Sequence, residues 1–523
     1  MRINSSPTRR VRAGVLAAAA TALLMTSACS GTSDDEDTNG TTESAAPSDA
    51  PTTLAIAVSR QPQGFDTTNL ANGTDALVWS AIYDRLIVPG DDGLPVPAAA
   101  ESWEYSEDGL TLTLHLRDGM TFSNGDPVVA ADYKATLDLL TTTAGPLSGE
   151  VSAVSSVEAP DDSTIVINFS QPDASFLDSL SKAIGAIAND DTIANEDAPT
   201  NPVGSGAYTL DADATVAGSQ YVLNKREDYW NADAYPFETV TVKVIADSTA
   251  LENALKSGEI NVGDIISGTI DESTGITATE IPGAGLQNLK ILDREGTIVP
   301  ALADVRVRQA INYAINREAI VEGVSQGRGE AVAQIAFPDT NVYVEELNDT
   351  YPYDLEKAKE LMAEAGYADG FAVTMPSIIY SQTLDPVVGQ ALSDIGITVT
   401  WDSIPAQNTG QAIISAQYPM AIWPDGYAGP ARLFGNQYTE DAFQNPFHTT
   451  DDELTALLDE LSTTVDPEAQ IPLAKEVNTW VVENAWDAPI VNSSRLIGVH
   501  EGYTYSGTTT NSFPSVTLYG VAE

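Results

Sequence analysis

The sequence predicts an α/β fold. Strands of period two, helices of period 3.6 and their alternation along the chain predict it. The clearest strand is 110–116, where Leu110, Leu112, Leu114 and Leu116 fall on one face and Thr111, Thr113 and His115 on the other. The clearest helix lies within 304–317, where Val307, Ala310, Ile311, Ala314 and Ile315 recur as one apolar stripe. With 523 residues and 43% hydrophobic content, two or three domains can each bury a core.

The chain opens with Arg2, Arg9, Arg10 and Arg12, followed by an apolar run from Ala13 to Ala28 that is too short for an ordinary transmembrane helix. Residues 1–28 therefore read as an export signal. Thr26-Ser27-Ala28-Cys29 resembles a bacterial lipoprotein cleavage site, with Thr26 where Leu is usual, so Cys29 is expected to carry a lipid anchor. Arg9-Arg10 is a weak twin-arginine signal, because Arg12 and Ala13 occupy the apolar positions that follow, and the sequence leaves the export route open between Sec and twin-arginine. Cys29 is the only cysteine, which excludes an intramolecular disulfide. Residues 29–53 are rich in Ser, Thr, Asp, Gly and Pro and are expected to form a disordered tether. There are 24 Lys and Arg against 75 Asp and Glu, a net charge of −51, which argues against nucleic-acid and anionic-membrane partners.

Elements follow in order. Residues 54–58 read as the first strand and 76–86 as a helix. After the strand 110–116, Asp118-Gly119 and Asn124-Gly125 are turn dipeptides, since Gly reaches positive φ without a steric penalty. A helix near 130–140 and strands at 164–169 and 240–244 come next. Residues 248–258 read as a helix, with Ser248 as N-cap and Gly258 as its stop. Asp354 caps a helix carrying Leu355, Ala358, Leu361 and Met362 on one face, ended by Gly366. A strand at 397–401 precedes two helices, the second starting at Asp466-Pro467, where the missing proline N–H costs nothing. Residues 289–292 and 488–491 are expected to carry the chain between lobes.

Several of these stretches together resemble the peptide- and nickel-type extracellular solute-binding proteins that feed ATP-driven importers. The first is Ala99-Ala100-Glu101-Ser102-Trp103, the alternating strand ending Leu116-Arg117-Asp118-Gly119, and Phe122 to Pro127. The second is 304–317, and the third Gly366-Tyr367 with Gly370-Phe371. Tyr83 to Leu86, Gly204-Ser205-Gly206-Ala207-Tyr208, Asn224 and Tyr229-Trp230 match further family positions. The resemblance spans nearly all of 54–521. It implies a two-lobe periplasmic-binding-protein-like fold with an extra inserted subdomain, of the cluster C type. Lobe I would comprise 54–94, 200–288 and 493–523, the subdomain 95–199, and lobe II 289–492. The chain would then be a monomer outside the cell membrane, hung from it by Cys29, serving the permease subunits of an ABC importer.

Catalytic readings find little support. His115, His448 and His500 are far apart and form no His-Glu-x-x-His. No Gly-x-Ser-x-Gly marks a nucleophile. The glycines at 204–206 lack the spacing and lysine of a phosphate loop. A carboxylate pair for glycoside hydrolysis is not distinguishable among so many acids. No metal and no cofactor is implied, and the chain is not read as an enzyme.

A binding site is better supported. The family places ligand contacts in a loop reading Gly-Trp-x-x-Asp-Tyr-x-x-Pro. Here it reads Ile422-Trp423-Pro424-Asp425-Gly426-Tyr427-Ala428-Gly429-Pro430. Trp423 is either a ligand wall or a core aromatic. Peptide-binding members pair the Asp before the Tyr with the ligand ammonium, but that position is Gly426 and the acid stands one residue earlier at Asp425. Either Asp425 reaches the ammonium from a shifted loop, or no free amino terminus is bound. Tyr427, Tyr83, Trp401 and Arg432 are further candidates, Arg432 for a ligand carboxylate. The expected ligand is a di- or oligopeptide, with a nickel chelate, sugar or siderophore-like compound as alternatives.

Overall fold

The computed structural model describes residues 50–74, 76–266, 274–511 and 513–522. The expected signal, Cys29 and the tether up to residue 49 lie outside the described residues.

Leu112, Leu114 and Leu116 point inward along the strand Thr111–Leu116, as their alternation requires. That strand sits between Ala100–Tyr105 and Thr164–Phe169, with Val154–Glu158 at the edge, all antiparallel. Helix Ala130–Thr142 packs against it through Tyr133, Leu137 and Leu140. A second sheet runs in the order Thr53–Val58, Thr239–Val244, Gln220–Lys225, Tyr208–Leu210, its first pair parallel. Both sheets feed one continuous core that includes Leu54, Ile56, Leu114, Ile167 and Val242. Segment 95–199 therefore has its own sheet but shares its core with the first lobe.

A second core forms around helix Val305–Ala314. Val307, Ala310 and Ile311 pack with Ala358, Leu361 and Met362 of helix Leu355–Glu364. The parallel strands Phe371–Ser377 and Ile397–Ser403, joined through helix Asp385–Asp394, complete it. Asp354 and Asp466 begin their helices as expected, accepting from Lys357 N (2.9 Å) and Glu468 N (3.0 Å), and Asp304 does the same for Arg306 N (2.9 Å).

Two long antiparallel strands, Ile276–Ile291 and Asp487–His500, join the cores. At about 3.3 Å per residue each reaches from one core to the other. Ile497 and Val499 belong to the first core, while Leu289, Ile291, Ala488 and Ile490 belong to the second. Their pairing shifts between Ile281 and Gly285, at the midpoint. Gly283 there has φ +75°, and a Cβ on it would fall 2.4 Å from the Thr509 side chain. The ladder breaks again between Gln287 and Asn288.

Two local expectations are corrected. The first helix is Ala76–Ile82 and stops short of Leu86. Residues 84–86 pair on both sides instead: Ile187 N donates to Asp84 O, Leu86 N to Gly185 O, and Ala99 N to Arg85 O. These sheet-like bonds outweigh one further helical turn. The cap at 248 is Asp247, whose carboxylate accepts from Ala250 N (2.8 Å), and Ser248 is the first helical residue.

Candidate functional site

The strand Met420–Asp425 buries Met420 and Ile422 in the second core and turns out at Gly426. Gly429 then starts helix Pro430–Tyr438, with Pro430 at its first position. Tyr427 to Arg432 thus form one wall of a cavity of about 370 Å³. The opposite wall comes from the side of the first core: Pro89 and Gly93 to Pro95, then Leu177, Asp178, Ser181 and Lys182 of the segment 95–199, then Thr510, Phe513 and Pro514. Concave, partly apolar spaces of this size suit small solutes.

Both walls touch across the cleft. Arg432 Nε lies 3.0 Å from Asp178 Oδ2 as an ion pair, and Nη2 lies 3.4 Å from Glu150 Oε2 and also donates to Ser179 Oγ. Gln470 Nε2 donates to Ala174 O (2.9 Å), and Ala174 N to Ser462 O (3.1 Å). The cleft is closed. Lys182 Nζ also meets Asp178 Oδ2 at 2.8 Å. Burial alone would raise the Asp178 pKa, but the charges of Lys182 and Arg432 outweigh it and hold the carboxyl below its ordinary value. The cavity thus presents a stable carboxylate beside two cations.

Tyr427 is half-buried, its ring edge-on to Phe337 at 6.0 Å. Burial, with Asp178 and Asp92 nearby, pushes its phenol well up, so it remains a donor. Its hydroxyl lies against Gly93, where φ is +79° and a Cβ would fall 2.1 Å from that oxygen. Gly93→Ala is therefore expected to cost about 1 kcal/mol or more and to hold the walls apart. Thermal melts and ligand titration check this. Adding Tyr427→Phe, which removes the crowded oxygen, should recover affinity but not the backbone strain.

The sequence-predicted residues do not all converge. Tyr427 and Arg432 line the cavity, and Gly426 is exposed beside it with open space around its Cα. Trp423 is half-buried, packs against Phe443 (6.2 Å) and the cluster of Leu292, Ile413 and Ala421, and does not line the cavity. Trp401 lies against the second core beside Gly389. Tyr83 is buried in the first core and donates to Phe65 O (2.7 Å).

Asp425 is the main correction. It is 4% exposed and turned inward, with Lys290 Nζ at 2.8 Å and Gln444 Nε2 at 3.0 Å. It does not line the cavity, so the shifted-loop alternative does not bring it to the ligand space. Asp178, Lys182 and Phe513 were missed. Asp178 and Lys182 carry only the i, i+4 signal of any helical ion pair, and Phe513 none.

Among the described residues no group of three or more His, Cys, Asp or Glu is placed to hold a metal, and no helix is long and apolar enough to cross a membrane.

Residues 95–444 match the family model described as bacterial extracellular solute-binding proteins, family 5 middle. Heme-binding protein A of Haemophilus influenzae is 30% identical over 406 residues, 69% of this chain and 70% of that protein. The dipeptide-binding protein of Escherichia coli is 28% identical over 373 residues, 64% of this chain and 67% of that one. The crystal structure of the ABC transporter substrate-binding protein CtaP from Listeria monocytogenes superposes with a TM-score of 0.77 at 21% identity, covering 91% of this chain and 100% of that one.

Proposed function

Since the chain belongs to the bacterial extracellular solute-binding proteins of family 5, the non-enzymatic binding components of ABC transporters, we propose that it captures a di- or oligopeptide between its lobes and presents it to the permease. The observation that carries this reading is the composition of the closed cavity. A peptide is a zwitterion, and Asp178 faces the same space as Lys182 and Arg432. A buried ammonium needs an opposite charge to offset its desolvation, and a carboxylate needs donors. Asp178 supplies the first in place of Asp425, and Arg432 and Lys182 the second. Pro89, Leu177 and Phe513 offer apolar surface to side chains. The relative named for dipeptide binding supports the same class.

In this proposal the lobes meet near 289 and 492, the segment 95–199 is the inserted subdomain, and Cys29 anchors the monomer to the outer face of the membrane. A non-peptide solute, such as a nickel chelate, sugar or siderophore-like compound, is the second reading. It is favoured by the engagement of Asp425 with Lys290 and by the relative named for heme.

Trialanine separates the two readings. Ligand that binds only the folded state at a hundred times its Kd adds about 2.7 kcal/mol. Free trialanine should raise the melting temperature, and N-acetyl-trialanine should raise it far less. Equal shifts, or none, would remove the peptide reading. In Asp178→Asn the difference between the two peptides should vanish.

A further inference from the structure

Behind Phe513 lies a second, smaller chamber of about 170 Å³ within the first lobe. That is room for a small group such as a carboxylate. It shares Pro89 and Phe513 with the larger cavity.

Arg85 lines this chamber and is 8% exposed. Its guanidinium stacks on Phe513 at 4.4 Å, and Nη1 donates to Ser181 O at 2.6 Å. Ser181 itself lines the larger cavity. Among the described residues no carboxylate lies within 4 Å of the guanidinium, and Nε and Nη2 have no protein acceptor. These two nitrogens are not among the sealed, unpartnered atoms, so they stay open to a guest, and a guanidinium presents its donors as a planar fork.

The chamber's carboxylate and its ring faces are already engaged. Asp84 accepts from Tyr229 Oη (2.6 Å) and Trp230 Nε1 (3.3 Å), one on each oxygen. The faces of Phe513 and Trp230 carry Arg85 and Arg117, the latter at 4.4 Å. A cationic guest would find the carboxylate and these two rings taken, with a guanidinium beside it. Beside the amides of Asn231 and Asn511, the Arg85 fork leaves two N–H donors open, and a planar pair of donors suits a two-oxygen anion.

We propose that this chamber is a carboxylate-binding subsite, with Arg85 as its anion-binding residue. Two sources share that chemistry: a free small acid, and the terminal carboxylate of a ligand lying in the larger cavity. Only the second rests on the peptide reading above.

The test follows the side-chain Nε–H resonance of Arg85 by NMR, assigned through its loss in Arg85→Gln. The glutamine amide can still donate to Ser181 O, which keeps that local bond. Sodium acetate is titrated against tetramethylammonium chloride at equal ionic strength, and trialanine against trialanine amide. Acetate should move the resonance and tetramethylammonium should not, which assigns the site to a free acid. A response to trialanine but not to its amide assigns it to an extended ligand. Arg85→Gln should weaken acetate binding about tenfold or more, followed by calorimetry, with partial recovery in Arg85→Lys. If neither acetate nor the acid form of the peptide moves the resonance, the subsite is refuted, even where trialanine still stabilises the protein. A response to tetramethylammonium equal to that for acetate would refute it as well.

Discussion

Lys290→Met is expected to destabilise the protein by about 3–5 kcal/mol, the range for removing one partner of a buried ion pair. Lys290 is 1% exposed, with Asp425 at 2.8 Å, Asp487 at 3.6 Å and the Gln437 side-chain oxygen also bonded. Asp487 is further held by Arg294 Nη2 (2.9 Å) and Tyr438 Oη (2.9 Å). The group contains two cations and two carboxylates, so its charge is balanced. Methionine fills much of the lysine stem's volume but leaves Asp425 with only neutral partners, Gln444 and Asn288. The loss should show in urea unfolding at pH 7. Lys290→Met combined with Asp425→Leu should be closer to wild type than the single change, because the orphaned charge goes too. A single mutant as stable as wild type would mean the network does not hold the strand Met420–Asp425 in place.

The second large effect is on closure. Arg432→Gln is expected to weaken ligand binding about ten- to a hundredfold, from the ~1.5–3 kcal/mol typical of hydrogen bonds to charged groups. Arg432, on helix Pro430–Tyr438, meets Asp178, Glu150 and Ser179 of the segment 95–199 across the cavity. Losing it removes contacts made only in the closed form, so the cost falls on the closed state. Small-angle scattering of the ligand-free mutant should give a larger radius of gyration than wild type. The pH dependence has a defined sign. The Asp178 pKa is lowered in the folded protein, so its contribution is present above the ordinary carboxylate value and is lost only as pH falls through the lowered one. Closure should therefore persist from pH 7 to pH 5. A loss of closure near pH 6 would point to a different latch.

Much of the fold was legible because its signals are local. Alternation placed Leu112, Leu114 and Leu116 inside, and aspartates at 354 and 466 marked helix starts. The helix end at Ile82 was not legible, since Leu86 and Arg85 are taken by backbone partners at Gly185 and Ala99. The site was half legible. The spacing from Trp423 to Pro430 marked a loop whose residues Tyr427 to Pro430 line the cavity, as Arg432 does. The direction of Trp423 and Asp425 depends on how their strand registers against Ile276–Ile291, which brings Lys290 to Asp425. Nothing near residue 425 in sequence announces that partner. Asp178 and Phe513 reach the cavity only through tertiary folding.

The most direct test is chemical. Protein purified from cells grown on a peptide-rich medium is denatured, and the released small molecules are identified by mass spectrometry. The account predicts intact short peptides, near one per chain from wild type and strongly depleted from Arg432→Gln and Asp178→Asn. Release of only a metal chelate, a sugar or a heme, or equal yields from all three proteins, would contradict it.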